Sequence, residues 1–244
     1  MLRVLTAGES HGPGLAVILE GLPAGVPVST AAIAGELARR RHGHGRGGRQ
    51  RFEADAFEIQ AGVRHGRTMG SPVAITIPNV EFETTYRELM GPEGQMDPSK
   101  RLTRPRPGHA DLVGALKYGF DDVRNVLERA SARETAARVA AGVLCKSFLA
   151  ELDVRVFSHV VQIGKVKAPR SALPTPDDLG SIDASPVRCA DETASVAMVE
   201  EIDRMRKAKD SVGGVLRFWH TGCRPGSVPT CSGTASSTHG WPPR

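Results

Sequence analysis

The stretch 128–152, ERASARETAARVAAGVLCKSFLAEL, constrains the fold more than any other part of the chain. Ser131 and Glu134 have the spacing of a capping box, so the sequence predicts that a helix begins at Ser131. Apolar residues then recur at the spacing of one helical face, at Ala137, Ala140, Leu144 and Phe148. Because aromatic residues make up only 5% of the chain, the core must rely on Ala, Val, Leu and Ile.

The start of this helix is also a candidate anion site. Free N–H groups at a helix start attract negative charge, and Arg129 and Arg133 flank Ser131 in the sequence. The alternative is a surface helix whose arginines are solvated, since charges at helix ends are usually of that kind. This segment alone leaves both interpretations open.

Two further helices are expected, at 29–41 and at 192–209. The first has Ser29 or Thr30 as its N-cap, and its apolar face should contain Ile33, Ala34, Leu37 and Ala38. The strand candidates are 2–8, which we expect to be buried, the first part of 12–28, 57–63, 71–79 and 153–166. Strands and helices mix too evenly for a series of βαβ units, so the sequence favours an α+β fold over a Rossmann sheet.

Two long segments are polar and rich in proline, and we expect both to be surface loops: 81–108 and 168–186. The chain of 244 residues is long enough for one large domain or two small ones. The N-terminus does not resemble a signal peptide, and apolar runs stay well short of the roughly 20 residues that span a bilayer. A cytoplasmic protein without membrane contact is the expectation.

The segment 39–49, RRRHGHGRGGR, is the most basic part of the chain. A net charge of +5 gives only a modest preference for anions, and the segment lacks the aromatic residues that stack on bases. With the second arginine-rich loop RPRPG at 104–108, it suits one compact polyanion, so we favour a phosphorylated small molecule over nucleic acid. His42 and His44 lack a third metal ligand nearby, so we expect no metal site.

Two histidines lie on turns rich in small residues. His11 lies in GESHGPG and His109 in RPGHAD, where a side chain can approach a substrate closely. Histidine suits proton transfer near neutral pH. The alternative for each is a turn histidine exposed to water.

Four motifs together resemble those of the chorismate synthase family: AGESHGPGL, ARRRHGHGRGGR, RPRPGHADLVGALKYGFDDVR and ERASARETAARVAAG. They occur in the right order, and the resemblance runs from residue 1 to about 214. It implies a β-α-β sandwich with helices between two antiparallel sheets, and a homotetramer. It also implies conversion of 5-enolpyruvylshikimate 3-phosphate to chorismate by anti 1,4-elimination of phosphate, with reduced FMN as cofactor and possibly NADPH as reductant.

The resemblance also implies roles for individual residues. His11 matches the histidine thought to protonate the leaving phosphate, and His109 the one thought to protonate the reduced flavin. Arg106 matches an arginine on the substrate side. Arg40 and Arg46 match arginines of the anion-binding loop, linked to substrate phosphate and to NADP. A segment that contacts FMN is matched by Arg129, Ala130 and Ser131.

The resemblance ends near residue 214. From 215 to 244 the chain is rich in Ser, Thr, Gly and Pro without periodicity, and we expect an aberrant, disordered tail after a domain of 1–214. Reading the tail in a shifted frame from Leu216 restores a family-like continuation, so we infer a frameshift and a C-terminally truncated product. Three hypotheses follow: an enzyme whose gene is intact but mis-sequenced, an inactive truncated product, and a non-catalytic phosphate- or nucleic-acid-binding protein.

Overall fold

The computed structural model of the chain describes residues 1–45 and 55–222. These form two compact units, the first from residues 1–40 and 55–148, the second from residues 41–45 and 149–222. Among the described residues, the helices all fall short of the length and hydropathy needed to cross a bilayer.

The strands are β1 (Arg3–Gly8), β2 (Gly14–Glu20), β3 (Ala24–Pro27), β4 (Glu58–Ala61), β5 (Val63–Arg64), β6 (Arg67–Met69), β7 (Val73–Pro78), β8 (Arg155–Ile163), β9 (Val166–Lys167) and β10 (Gly214–Thr221). The helices are α1 (Thr30–Arg41), α2 (Arg87–Met90), α3 (Asp111–Tyr118), α4 (Arg124–Arg129), α5 (Thr135–Ala150), α6 (Leu179–Ala184) and α7 (Glu192–Lys207). The strand pairs within the sheets are antiparallel. The α+β class predicted from the sequence is therefore confirmed.

The first unit is built on a four-stranded sheet in the order β1-β2-β7-β4, beside a three-stranded sheet β3-β6-β5. Alternate residues of β2 and β7 are buried, and they pack on α1 and α5 in one apolar core. From α5 this core takes Ala137, Ala140 and Leu144, with Phe148 at its margin, as the helical spacing predicts. Alanine on this face lets the helix approach the sheet closely.

The expectation that β1 is buried is wrong. Its residues are exposed or half-buried, and Leu5 is 64% exposed. The strand order explains this, because among the described strands β1 lies at the edge of its sheet and pairs only with β2.

The apolar face of α1 is narrower than predicted. Ile33 and Leu37 are buried, whereas Ala34 is exposed. Ser29 caps the helix as expected, since its hydroxyl accepts a hydrogen bond of 3.1 Å from the N–H of Ala32.

The two segments expected to be loops contain short helices. A π-helical turn at Phe82–Tyr86 leads into α2, and the side chain of Phe82 is buried. In the other segment, α6 buries Ile182 completely. One buried apolar side chain anchors each segment, a signal too sparse for a periodicity argument.

The second unit is a three-stranded sheet in the order β10-β8-β9, with α7 against β8 and β9. Residues 215–221, which we expected to belong to an unstructured tail, lie within β10 and pair with β8 over its whole length. The alternation in VLRFWHT supplies the β-branched and aromatic residues that a strand favours. The rest of the expected tail, from 223 onward, lies outside the described residues.

Candidate functional site

The loop 9–13 carries His11 between two paired strands. β1 and β2 pair up to Gly8 opposite Leu15, so the loop is closed at its base. Gly8 has φ +101°, and a Cβ there would lie 2.2 Å from the carbonyl oxygen of Gly14. This position therefore needs glycine, and the tight turn projects His11 from the end of the sheet.

Glu128, in α4, holds the His11 loop at three points. Its carbonyl oxygen accepts a hydrogen bond of 3.0 Å from the N–H of Ser10. Its carboxylate Oε2 lies 3.1 Å from the backbone N of His11 and 2.7 Å from Nδ1 of the same residue. Glu128 is only 1% exposed, and Arg124 lies 3.5 Å from its other oxygen. The His11 ring is thus oriented by a buried carboxylate.

Tyr86 lies against the ring of His11. The two ring centroids are 4.2 Å apart with an interplanar angle of 33°. Tyr86 is the last residue of the π-helical turn Phe82–Tyr86, and such turns are frequent at functional sites. The stacked ring limits the rotation of the His11 side chain.

Asn79, which directly follows β7, also supports the loop that carries His11. Its side-chain amide donates hydrogen bonds of 2.9 Å to the carbonyl of Glu9 and 2.8 Å to that of Gly12. Asn79 in turn accepts a bond of 3.0 Å from Nε of Arg133. Asn79 and Arg133 are both at most 5% exposed. The loop conformation therefore depends on a buried polar network.

Asp55 joins this network to Arg40. Its carboxylate forms an ion pair with Arg133 and accepts a hydrogen bond of 3.2 Å from Arg40. Arg40 also donates to the hydroxyl of Thr135 and to the carbonyl of Ala132. The side chain of Arg40 is only 9% exposed, and it belongs to the protein's own framework in this structure.

The segment 129–131 lies against β1 and the His11 loop. Arg129 donates hydrogen bonds to the carbonyls of Gly8 and Thr6, and its side chain stays 40% exposed. Ala130 is exposed, and the hydroxyl of Ser131 donates to that of Ser10 at 3.1 Å. Two of the predicted site residues, His11 and Ser131, are therefore brought to one place.

The predicted capping box at Ser131 forms only in part. Ser131 accepts a hydrogen bond from the N–H of Arg133 at the start of a 3-10 turn, and α5 begins only at Thr135. The carboxylate of Glu134 accepts instead from the Thr6 hydroxyl at 2.6 Å and from Arg138 at 2.8 Å. The hydrogen bond from Thr6 of β1 to Glu134 replaces the bond from the Ser131 N–H to Glu134 that a capping box would have.

His109 and Arg106 form a second cluster with Asp111, the first residue of α3. Asp111 is fully buried, and its carboxylate contacts Nδ1 of His109. It also accepts hydrogen bonds of 3.0 Å from the backbone N and 3.3 Å from Nε of Arg106. Nη2 of Arg106 lies 3.0 Å from Nε2 of His109. The three side chains hold one another in place.

α4 makes contacts at both of its ends. Leu102 pairs with the start of this helix through the carboxylate of Asp122 and the N–H of Val123. Glu128, near its end, holds His11. Between His11 and His109 the structure shows no contact within the described residues, so a shared cleft stays a prediction.

A cleft of about 890 Å³ opens beside the His11 loop and the start of α4. Its charged lining is mostly acidic, with the carboxylates Glu9, Glu88, Glu93, Asp97 and Asp122 against the cations Lys100 and Arg124. A phosphate would meet more negative than positive charge here. We therefore do not assign the substrate phosphate to this cleft.

The pKa of Asp111 makes a testable prediction about stability. Burial on its own raises this pKa, but the hydrogen bonds from the Arg106 N–H, from His109 and from the Arg106 guanidinium bring it below its ordinary value of 3.8. The ionised carboxylate therefore stabilises the fold above about pH 4, and this contribution is lost as the pH falls through the lowered folded-state pKa.

We expect Asp111→Asn to reduce the free energy of unfolding at pH 7. Below about pH 4, the free energy of unfolding should decrease less steeply with falling pH in Asp111→Asn than in the wild type. Urea unfolding at a series of pH values measures both. Asp121→Asn is the matched control, because the Asp121 side chain is 85% exposed. Equal pH profiles for the wild type and Asp111→Asn would contradict the role of Asp111.

The sequence argument missed Glu128, Asp111, Asp55, Asn79 and Tyr86. Glu128 and Asp111 lie within recognised motifs, but the partner of each is set by the tertiary fold. In the basic segment, His44, where we expected no metal site, lies 2.8 Å from Asp203 of α7. The predicted site residue Arg46 lies outside the described residues.

Comparison with known proteins identifies the family. The sequence profile of the family described as chorismate synthase matches residues 2–232. The chorismate synthase of Leifsonia xyli subsp. xyli is 54% identical over 233 residues, covering 93% of this chain and 58% of the relative. That of Acidothermus cellulolyticus is 55% identical over 234 residues, covering 93% of this chain and 59% of the relative.

A solved structure agrees. A crystal structure of chorismate synthase matches with a TM-score of 0.69 and 38% identity, covering 90% of this chain and 58% of that one. The chain thus spans somewhat under three fifths of the length of these proteins. Since the family profile matches nearly the whole chain, the chain belongs to the chorismate synthase family.

Proposed function

We propose that this chain supplies the His11 and arginine part of a chorismate synthase active site. The reaction is the anti 1,4-elimination of phosphate from 5-enolpyruvylshikimate 3-phosphate. The bond from carbon to the phosphate oxygen breaks with its electron pair on the phosphate. A proton passes from the far end of the 1,4 system to a base, the electron pair of the broken C–H bond enters the new diene, and chorismate forms. The proposal includes the homotetramer, reduced FMN and NADPH that the family resemblance implies.

The observation that carries this proposal is the attachment of His11 to Glu128. Because Nδ1 faces a carboxylate that is 1% exposed, Nε2 is the nitrogen that would exchange a proton with a ligand. A carboxylate behind a histidine fixes its tautomer and stabilises the imidazolium. His11 would therefore donate a proton from Nε2 to the departing phosphate oxygen.

Arginine supplies the charge that the leaving phosphate needs. We propose that Arg46 and Arg106 contact the substrate, because the Arg106 side chain is 51% exposed and Arg46 belongs to the basic segment. Arg40, near the start of that segment, would add positive charge to the phosphate site. Its guanidinium is oriented by Asp55 and Thr135. Together these arginines would stabilise the negative charge of the leaving phosphate.

The residues at 129–131 suit the phosphate of FMN. The side chain of Arg129 is 40% exposed, Ala130 is exposed, and Ser131 carries a hydroxyl at the start of a turn. Such a set of donors favours an anion. When bound, reduced flavin would supply the transient electron density that side chains lack.

A chimera tests the proposal. Residues 1–214 of this chain would be joined to the remaining C-terminal part of the Leifsonia xyli relative and assayed anaerobically with reduced FMN and 5-enolpyruvylshikimate 3-phosphate. We expect chorismate formation within about tenfold of the Leifsonia enzyme, because the two chains are 54% identical over 233 residues. The 244-residue chain alone is assayed in parallel. A folded chimera that binds substrate but forms no chorismate would show a non-catalytic phosphate-binding protein instead.

A further inference from the structure

The ring of His109 lies between two charged partners that use both of its nitrogens. Nδ1 contacts the buried carboxylate of Asp111, and Nε2 lies 3.0 Å from Nη2 of Arg106. Within the described part of the chain, these are the charged groups in hydrogen-bond contact with the ring. Their chemistry determines where the ring carries its proton.

Arginine has five N–H donors and no acceptor. Nη2 of Arg106 must therefore donate, and Nε2 of His109 must accept with its lone pair. The ring proton then sits on Nδ1, where it is donated to Asp111. A second proton on Nε2 would point directly at the N–H of Arg106. In this arrangement His109 is neutral, and it has no proton to give from Nε2.

Arg106 is the partner that is able to leave. Its side chain is 51% exposed, whereas Asp111 is fully buried at the start of α3. The backbone N–H of Arg106 bonds to Asp111 independently of the guanidinium. The side chain can therefore turn toward solvent while the loop and the His109–Asp111 contact stay in place.

We propose that Arg106 holds His109 neutral, and that an anion drawn to Arg106 frees Nε2 to take up a proton. The guanidinium gives up the neutral imidazole and the 3.3 Å bond from its Nε to Asp111 in exchange for a charged ligand. The proton comes from solvent and converts His109 to an imidazolium, whose Nδ1–H stays on Asp111. Arg106 is a positioning residue that acts through His109. The proposal rests on the proposed function only in taking the anion to be the phosphorylated substrate.

This arrangement would make an acid available at His109 only after an anionic ligand has bound. Before binding, Arg106 and an imidazolium would repel each other at 3.0 Å. After binding, the anion lies against Arg106 and its negative charge favours the added proton. Substrate binding and proton uptake are then coupled through one side chain.

The test is ¹⁵N NMR of the 244-residue chain with labelled histidines, where ¹⁵N shifts report the tautomer and the fraction protonated. The His109 signal is assigned by its loss in His109→Asn. At a fixed pH near 6.5 we expect wild-type His109 as the Nδ1–H tautomer. In Arg106→Gln, the ratio of protonated to neutral His109 should rise about tenfold, equivalent to about 1.4 kcal/mol. Inorganic phosphate should raise this ratio in the wild type and leave Arg106→Gln unchanged.

Arg104→Gln is the matched control, because Arg104 is an exposed arginine two residues away. It removes the same charge but leaves the contact with His109, so its ratio should stay within about twofold of the wild type. An equal ratio in the wild type and Arg106→Gln, an equal rise in Arg104→Gln, or no response of the wild type to phosphate would overturn the proposal. No turnover is measured, so an inactive chimera with this NMR behaviour would contradict the proposed function alone.

Discussion

Replacing His11 by asparagine should lower chorismate formation by the chimera by about 10² to 10⁴-fold, the range of general acid–base catalysis. Asparagine can still hydrogen-bond to Glu128, so the loop should keep its conformation. It has no proton to give to the leaving phosphate. The loss should therefore appear in kcat, while KM for 5-enolpyruvylshikimate 3-phosphate changes by less than about tenfold.

His65→Asn is the matched control for this variant. His65 is exposed and has φ +49°, a conformation that asparagine tolerates. Its kcat should match that of the unmodified chimera. Glu128→Gln should fall between the two, because the amide keeps a hydrogen-bond acceptor for Nδ1 but loses the charge that favours the imidazolium. A kcat for His11→Asn within threefold of the unmodified chimera would rule out His11 as the proton donor.

The regular elements could be predicted wherever apolar periodicity sets them. α5 has alanine and leucine at helical spacing, and it buries that face as predicted. β1 has the same apolar content as a core strand, yet it lies at the edge of its sheet and is exposed. Strand order depends on contacts between distant segments, so composition could not reveal it.

The candidate site could also be predicted only in part. His11 and His109 stand out in the sequence because they lie on turns rich in small residues. Their partners do not, since Glu128 is 117 residues from His11 and is one of many charged residues. Asp111 is close to His109 in the sequence, but only the turn into α3 directs its carboxylate at the ring. Periodicity arguments identify faces, whereas these contacts depend on the direction of single side chains.

β10 shows a further limit of prediction from composition. A Ser-, Thr- and Gly-rich tail suggested disorder from residue 215, because composition was averaged over the whole segment. The first residues of that segment alternate like a strand and pair with β8. A short strand at the edge of a biased segment is easily hidden by such an average.

Removing the charge of Asp55 should destabilise the chain by about 3–5 kcal/mol, the cost of breaking a buried ion pair. Asp55 receives Arg133 on one carboxylate oxygen and Arg40 on the other. In Asp55→Asn, the amide nitrogen would face one of these two guanidinium groups, donor against donor. The side chain of Arg133 is only 4% exposed, so water cannot replace the lost charge.

Urea unfolding of the 244-residue chain at pH 7 measures this loss as a lower midpoint at an unchanged m-value. Glu83→Gln is the control, because it breaks a pair with Arg87 whose side chains are 62% and 71% exposed, and it should cost less than about 0.5 kcal/mol. Arg133 also supports the His11 loop through Asn79, so Asp55→Asn should reduce kcat of the chimera as well. If Asp55→Asn costs no more than Glu83→Gln, the Asp55 network does not hold the loop that carries His11.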